Sequence, residues 1–193
     1  MTYGVPVRRR YELSVSRESF RRWSAPERRK GQGEVVLFVL RNDGNLILHT
    51  KDFYPPGAFR VPTGGILEHE PLLKAALREA LEETGLTVAV ERFLAIAEFE
   101  FRCEGKSIRT PSYLFLLREV GGQLKAQDLA ERIAGFTEVA PSALLNVAGN
   151  LERLPPDWRD WGLYRAIPHR LAAEVLCDSI LSASAAANSP LPT

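Results

Sequence analysis

The 193 residues are enough for one well-buried domain with a small extension and too few for two average domains. An apolar content of 45% with 25% charged residues excludes a disordered chain, and no apolar run approaches the ~18 residues needed to span a bilayer. The net charge of +1 hides an asymmetry: residues 1–33 hold nine Lys/Arg against three Glu, and that +6 leaves −5 on the remainder.

The basic charge sits in an N-terminal arm, residues 1–33, at Arg8, Arg9, Arg10, Arg17, Arg21, Arg22, Arg28, Arg29 and Lys30. Such an arm can hold nucleic acid. The interleaved Tyr11, Leu13, Val15, Phe20 and Trp23 favour instead an arm packed on an acidic body. It lacks the apolar stretch of a signal peptide, and Cys103 and Cys177 show no motif spacing, so a cytoplasmic protein with reduced thiols is expected.

Glu34 to Arg41 is a run of large and β-branched apolar residues, followed by Asn42-Asp-Gly-Asn45 and Leu46 to Thr50, which predicts a β-hairpin with a buried first strand. Lys51 to Gly65 is rich in Pro and Gly and reads as loop, with a short strand at Phe59 to Val61. Pro71 suits a first helical position, apolar residues recur at Leu72, Leu73, Ala76, Leu77, Ala80 and Leu81, and Gly85 stops the helix. Leu86 to Arg102 and Ser107 to Arg118 predict a second antiparallel pair, Gly121-Gly122 a polar loop, Gly135 to Ala140 a short strand and Pro141 a short helix to about Leu145. The core domain is taken as 34–145. Residues 146–181 read as a helical extension, with two segments over 155–181 split at Pro168, and 182–193 as a flexible Ser/Ala/Pro-rich tail.

On a helical wheel Glu79, Glu82 and Glu83 fall within about a 100° arc beside the apolar stripe of Leu72, Ala76, Leu77 and Ala80. Like charges three and four residues apart repel, so such a cluster needs a compensator. Their Cβ atoms lie roughly 5–6 Å apart, which suits a hard divalent cation. Gly64, Glu70, Arg78, Glu79, Glu82, Glu83 and Gly85 stand at the spacing Gly-x5-Glu-x7-Arg-Glu-U-x-Glu-Glu-x-Gly-U, with U apolar. All seven fixed positions would match by chance in roughly one such chain in a million.

The pattern is the Nudix box, and the chain resembles the Nudix hydrolase family over Glu34 to Leu145. The resemblance implies an α/β (α+β) fold, a Nudix-type α/β/α sandwich with a mixed sheet, here with a basic N-terminal arm and extra C-terminal helices. It implies cleavage of a pyrophosphate bond in a nucleoside diphosphate linked to another moiety, with Mg2+ as cofactor and Mn2+ as a substitute. Glu79, Glu82 and Glu83 would hold the metal with Glu70 assisting, Arg78 would orient a neighbouring carboxylate, and Gly64, Gly65 and Gly85 would shape the loops. The family differs in its general base, leaving Glu79, Glu131 and Glu138 as candidates, with Glu79 preferred. Arg60 and Lys51 are candidate phosphate contacts.

The box loop departs from the common form at Thr63, Leu67 and His69, and His69 becomes a candidate substrate contact or an exposed loop residue. Phe53, Tyr54, Phe59 and Phe136 are candidates to stack on a base. Trp158, Trp161 and Tyr164 are expected to pack on the sandwich, with a lid or a homodimer contact as alternatives. Two other readings stand beside a small-molecule enzyme: a pyrophosphohydrolase of RNA ends that uses the basic arm, and a non-catalytic ligand sensor.

Overall fold

A computed structural model describes residues 3–25 and 33–187, with side chains to residue 177. Arg28, Arg29, Lys30 and the last six residues of the expected tail lie outside the described residues.

Seven strands form one mixed sheet in the order β1 (Val7–Ser14), β5 (Leu86–Cys103), β6 (Lys106–Gly122), β2 (Glu34–Leu40), β3 (Leu46–Lys51), β7 (Ile133–Val139), with the short β4 (Thr63–Gly65) beside β2. β2 runs parallel to β6 in mid-sheet and is buried on both faces, which explains its unbroken apolar sequence. Val35, Leu37 and Val39 face helix α2 (Leu72–Thr84) and pack with Ala75, Ala76 and Ala80. Val36 and Phe38 face the other way, toward α3 (Leu144–Glu152) and α4 (Arg159–Ala187). The result is the expected α/β/α sandwich.

The basic arm enters this frame through backbone pairing. β1 adds to the sheet edge parallel to β5, and Arg8 and Arg10 pair with Glu98 while Arg9 pairs with Glu174. Helix α1 (Arg17–Trp23) starts at Ser16, whose hydroxyl accepts the Ser19 N–H at 3.2 Å, and Trp23 packs on Phe101 and Tyr164.

The expected hairpin of β2 and β3 is corrected in one respect. The strands pair only next to their turn, at Leu40 and Leu46, and then diverge. The segment Arg60 to Gly65 fills the gap: Arg60 bridges His49 on β3, Pro62 O accepts the Leu37 N–H at 2.9 Å, and Thr63 to Gly65 pair with Glu34 to Val36. The loop before α2 is thus held inside the sheet, with its polar backbone satisfied.

Three further expectations change. The residues around Gly121 and Gly122 continue β6 rather than opening a loop. Helix α2 buries Glu79 and Glu83 at the centre of its sheet-facing arc, flanked by Ala75, Ala76, Ala80 and Thr84, while Leu73, Leu77 and Leu81 are exposed. The glutamates therefore do not sit at the margin of a leucine stripe: only small side chains fit where the inserted loop approaches the helix. Finally, Pro168 does not split the C-terminal region, because α4 runs unbroken to Ala187. Pro168 removes one helical N–H, but Ala166, His169, Leu171 and Ala172 are all buried around it, and that packing carries the helix through. The helix also takes up residues 182–187 of the expected tail.

His169 ties α4 to the inserted loop. Its Nε2 accepts the Val61 N–H at 3.2 Å and its Nδ1 donates to Arg165 O at 2.8 Å, so the ring must be neutral. Burial pulls its pKa down to about 4 from the usual 6.5. Between those values the unfolded chain binds a proton that the folded chain does not, so stability falls as pH drops from 6.5 toward 4. His169→Gln lacks this proton uptake. Between pH 7.5 and 4.5 it should lose about 2–3 kcal/mol less stability than the wild type in urea titrations.

Candidate active site

Gly85 ends α2 in the left-handed region at φ +72°, and the N–H groups of Lys125 and Gln127 cap the free carbonyls of Thr84 and Glu82. This fixes the last two turns of the helix, from which Glu79, Glu82 and Glu83 project.

Two charge networks surround those residues. In the first, Arg78 Nε and Nη2 donate to the two oxygens of Glu70 at 2.8 Å each, Nη2 also reaches Gly65 O at 2.9 Å, and Nη1 donates to Glu79 at 2.7 Å and Glu82 at 2.8 Å. One guanidinium therefore fastens the box loop to the helix. The Arg78 hydrogen bonds hold the Glu70 pKa down at about 2. In the second network, Glu83 is fully buried: Oε2 accepts the Thr63 N–H at 2.8 Å, Oε1 lies 3.2 Å from Lys51 Nζ and 3.9 Å from Arg60 Nη2. Lys51 also contacts Glu131. Arg60 is buried and donates to Tyr54 Oη at 3.0 Å, Val61 O at 2.8 Å and Thr63 Oγ1 at 2.6 Å.

The networks meet at a cleft of about 1480 Å³ whose walls include Glu79, Glu131, Lys51, Arg60, Gly64 and Gly65. The Glu79 carboxyl lies against Gly64 so closely that a Cβ there would stand 1.7 Å from its carboxyl carbon. Burial pushes the Glu79 pKa up to about 7, against the pull of Arg78. Burial likewise raises Glu83, whereas in Glu131 burial is the largest single influence but is outweighed by the hydrogen bond and charge of Lys51 together with Glu83 and Arg60, which hold the group below its usual range.

Five carboxylates (Glu70, Glu79, Glu82, Glu83, Glu131) share three cations (Arg78, Lys51, Arg60), and fully ionised they carry two negative charges in excess. Among the described residues no three acidic, His or Cys side chains converge on a single point, because Arg78 and Lys51 stand between the carboxylates. The donors are all hard oxygens, the charge excess equals that of one divalent ion, and Oε1 of buried Glu83 lacks a hydrogen-bond partner. These properties fit Mg2+.

Not every candidate arrives here. Glu138 pairs with Arg41 at 2.7 Å and lies opposite Ile47 on β3, four residues or about 13 Å from Lys51 along the strand. It does not line the cleft. His69 adopts φ +61°, in the left-handed region that favours glycine, and its side chain is 88% exposed beside Glu68; it is not itself among the residues that line the cleft. Phe136 packs in the core. Sequence reasoning missed Thr63 as a backbone donor, His49 beneath Glu83, and a second polar cluster on the cleft wall. There Glu34 accepts Ser112 Oγ at 2.8 Å, Tyr164 Oη at 2.7 Å and Arg165 Nη1 at 2.7 Å. A histidine directly after the apolar run Leu46 to Leu48 was the only available signal. Arg165 stood in a helix with no motif.

A mixed-sheet α/β/α sandwich with this loop and helix at the splay of two strands is the frame of the hydrolases that act on pyrophosphate bonds through the Gly64 to Leu86 pattern. The NUDIX domain family model matches residues 31–160, and the chain belongs to that family. It is similar to "Putative mutator protein MutT4" of Mycobacterium tuberculosis (strain CDC 1551 / Oshkosh), at 29% identity over 142 residues. That match covers 68% of this chain and 47% of the relative, so the chain spans about half its length. Among solved structures, a NUDIX hydrolase from Nitrosomonas europaea superimposes with a TM-score of 0.51 at 18% identity, over 76% of this chain and 92% of that one. This likeness shows the shared fold. An ADP-ribose pyrophosphatase from Streptococcus suis 89-1591 aligns with a TM-score of 0.44 at 16% identity, over 73% and 88% of the two chains. No helix among the described residues is long and apolar enough to cross a membrane.

Gly64→Ala tests the contact at the cleft floor. The added methyl meets the end of a flexible side chain, so the fold should survive while the Glu79 carboxyl is displaced. Turnover in the activity proposed below should fall at least about 100-fold, with the thermal midpoint within a few degrees of wild type.

Proposed function

We propose that the chain is a Mg2+-dependent pyrophosphohydrolase that cleaves a nucleoside diphosphate linked to another moiety in the cleft above Glu79. The observation that carries this reading is the excess of two negative charges in a carboxylate cluster of which Glu79 and Glu131 line the cleft, beside Lys51 and Arg60. Glu79, Glu82 and Glu83 would hold the metal, with Glu70 fixing Arg78 and thereby the orientation of Glu79 and Glu82. The bound ion would neutralise phosphate oxygens and activate water.

Side chains of the protein supply the rest. Glu79 faces the cleft and is the first candidate to take a proton from the attacking water. Glu131 is the second candidate base, since it also lines the cleft. Arg60 is held rigid by three hydrogen bonds at the cleft wall, and it and Lys51 would bind phosphate. Tyr54, Trp158 and Trp161 form an aromatic wall, with ring centres 4.6 to 5.8 Å apart, and Phe53 lies 4.9 Å from Tyr54. Arg60 links that wall to the glutamates through Tyr54 Oη. A base stacking there would leave its phosphates over Glu79. The small-molecule reading is favoured over an RNA-end substrate because the aromatic wall, Arg60, Lys51 and Glu79 line one cleft, while Arg8, Arg9 and Arg10 pair with Glu98 and Glu174.

A panel of nucleotide sugars, dinucleotides and nucleoside triphosphates, assayed with and without Mg2+, checks this proposal. Turnover should require the metal and fall at least about 100-fold in Glu82→Gln and Glu83→Gln. Unchanged turnover in both variants would contradict the metal assignment.

A further inference from the structure

His49 on β3 is completely buried, and neither ring nitrogen has a hydrogen-bond partner. A buried polar atom left unpaired is costly, so an imidazole missing both partners calls for a reason. Its Nε2 lies 3.7 Å from Oε2 of Glu83, just beyond hydrogen-bond reach. Glu83 is also incomplete: Oε1 accepts no hydrogen bond of good geometry, and its nearest neighbours are the cations of Lys51 and Arg60. The imidazole without partners thus faces Oε2 of Glu83, which accepts the Thr63 N–H and has a second lone pair to offer.

The backbone of His49 is locked in place. Its N–H donates to Arg60 O at 2.8 Å and its carbonyl accepts the Arg60 N–H at 3.1 Å, so the ring is hung from the bridge that holds the inserted loop. Closing the gap to Glu83 needs only a side-chain movement of less than 1 Å, to the usual length of about 2.9 Å. Lys51, two residues along the same strand, lies against both Glu83 and Glu131. Lys51 would have to yield its place at Glu83 to a divalent cation held there, and the imidazole would then be the buried donor at hand to restrain the carboxylate from behind.

We infer that His49 is a positioning residue of the metal site: its Nε2–H closes on the Glu83 carboxylate when a divalent cation replaces the Lys51 ammonium, and fixes that carboxylate's orientation toward the ion. The inference rests on the metal-binding reading given above. Ligand-orienting partners of this kind govern metal affinity more than fold.

Mn2+ titrations followed by electron paramagnetic resonance provide the test. Wild type should bind, and His49→Phe, which keeps a ring but removes the donor, should bind about 10-fold more weakly. His49→Gln, whose amide donates, should recover most of the loss. In a Glu83→Gln background His49→Phe should change affinity less than about twofold, a dependence that a merely structural histidine would not show. Equal affinity in wild type and His49→Phe, or equal weakening in both backgrounds, overturns the inference while leaving the metal site standing. A wild type that binds no Mn2+ overturns both readings. Should His49→Phe fail to fold, 15N-histidine spectra of the wild type decide: addition of Mg2+ should shift the His49 Nε2 resonance and slow its proton exchange, and an unchanged resonance refutes the proposal.

Discussion

Glu79 and Glu83 occupy the middle of the face that α2 turns to the sheet, where a helix of a sandwich ordinarily buries leucine or valine. Burying a carboxylate costs several kcal/mol unless its charge is met by hydrogen bonds or a cation. Much of the surrounding structure answers that constraint. The Thr63 N–H, Lys51 and Arg60 meet Glu83, Arg78 meets Glu79, and Gly64 lacks the side chain that would collide with the Glu79 carboxyl. Alanines at 75, 76 and 80 let the helix approach closely enough for these contacts.

The same constraint explains the splay between β2 and β3. A regular hairpin would use up the sheet edge on which Arg60 to Gly65 is seated, and the loop would lose its backbone partners. Because the loop takes a strand's place, its backbone is rigid, and a rigid backbone can aim the Thr63 N–H at a carboxylate and hold Gly64 beneath another. The C-terminal helices contribute from the opposite face. His169 fastens Val61, and Trp158 and Trp161 wall the cleft against Tyr54. Residues that appeared to be a helical extension are thus part of the site.

The box was legible from sequence because its residues are local: Arg78, Glu79, Glu82 and Glu83 lie on adjacent turns of one helix, and Gly64 and Gly85 mark its flanking loops. The two-faced core was legible for the same reason, in the unbroken apolar run of β2. What escaped depends on pairing between distant segments. Nothing local to Val7 to Ser14 says that it joins β5 in parallel, and nothing at Pro168 reveals that buried neighbours will carry the helix through it. Glu138 and Glu131 look alike as acidic residues after the box, and only the register of β7 against β3 sends one to an ion pair with Arg41 and the other to the cleft. The wheel located the three glutamates within one arc, but the apolar pattern misled about which side that arc faces, because the exposed leucines outweighed three small alanines.

The central claim is that the charge excess around Glu79 and Glu83 exists to bind a divalent cation where a pyrophosphate enters. Anomalous scattering from a crystal grown with Mn2+ tests it most directly. The account predicts a manganese peak at the cleft floor beside Gly64 and Gly65, contacting carboxylates of the Glu79, Glu82 and Glu83 set, with the Lys51 ammonium moved away from Glu83. A peak only at other surface carboxylates, or none at a concentration that supports turnover, would contradict it.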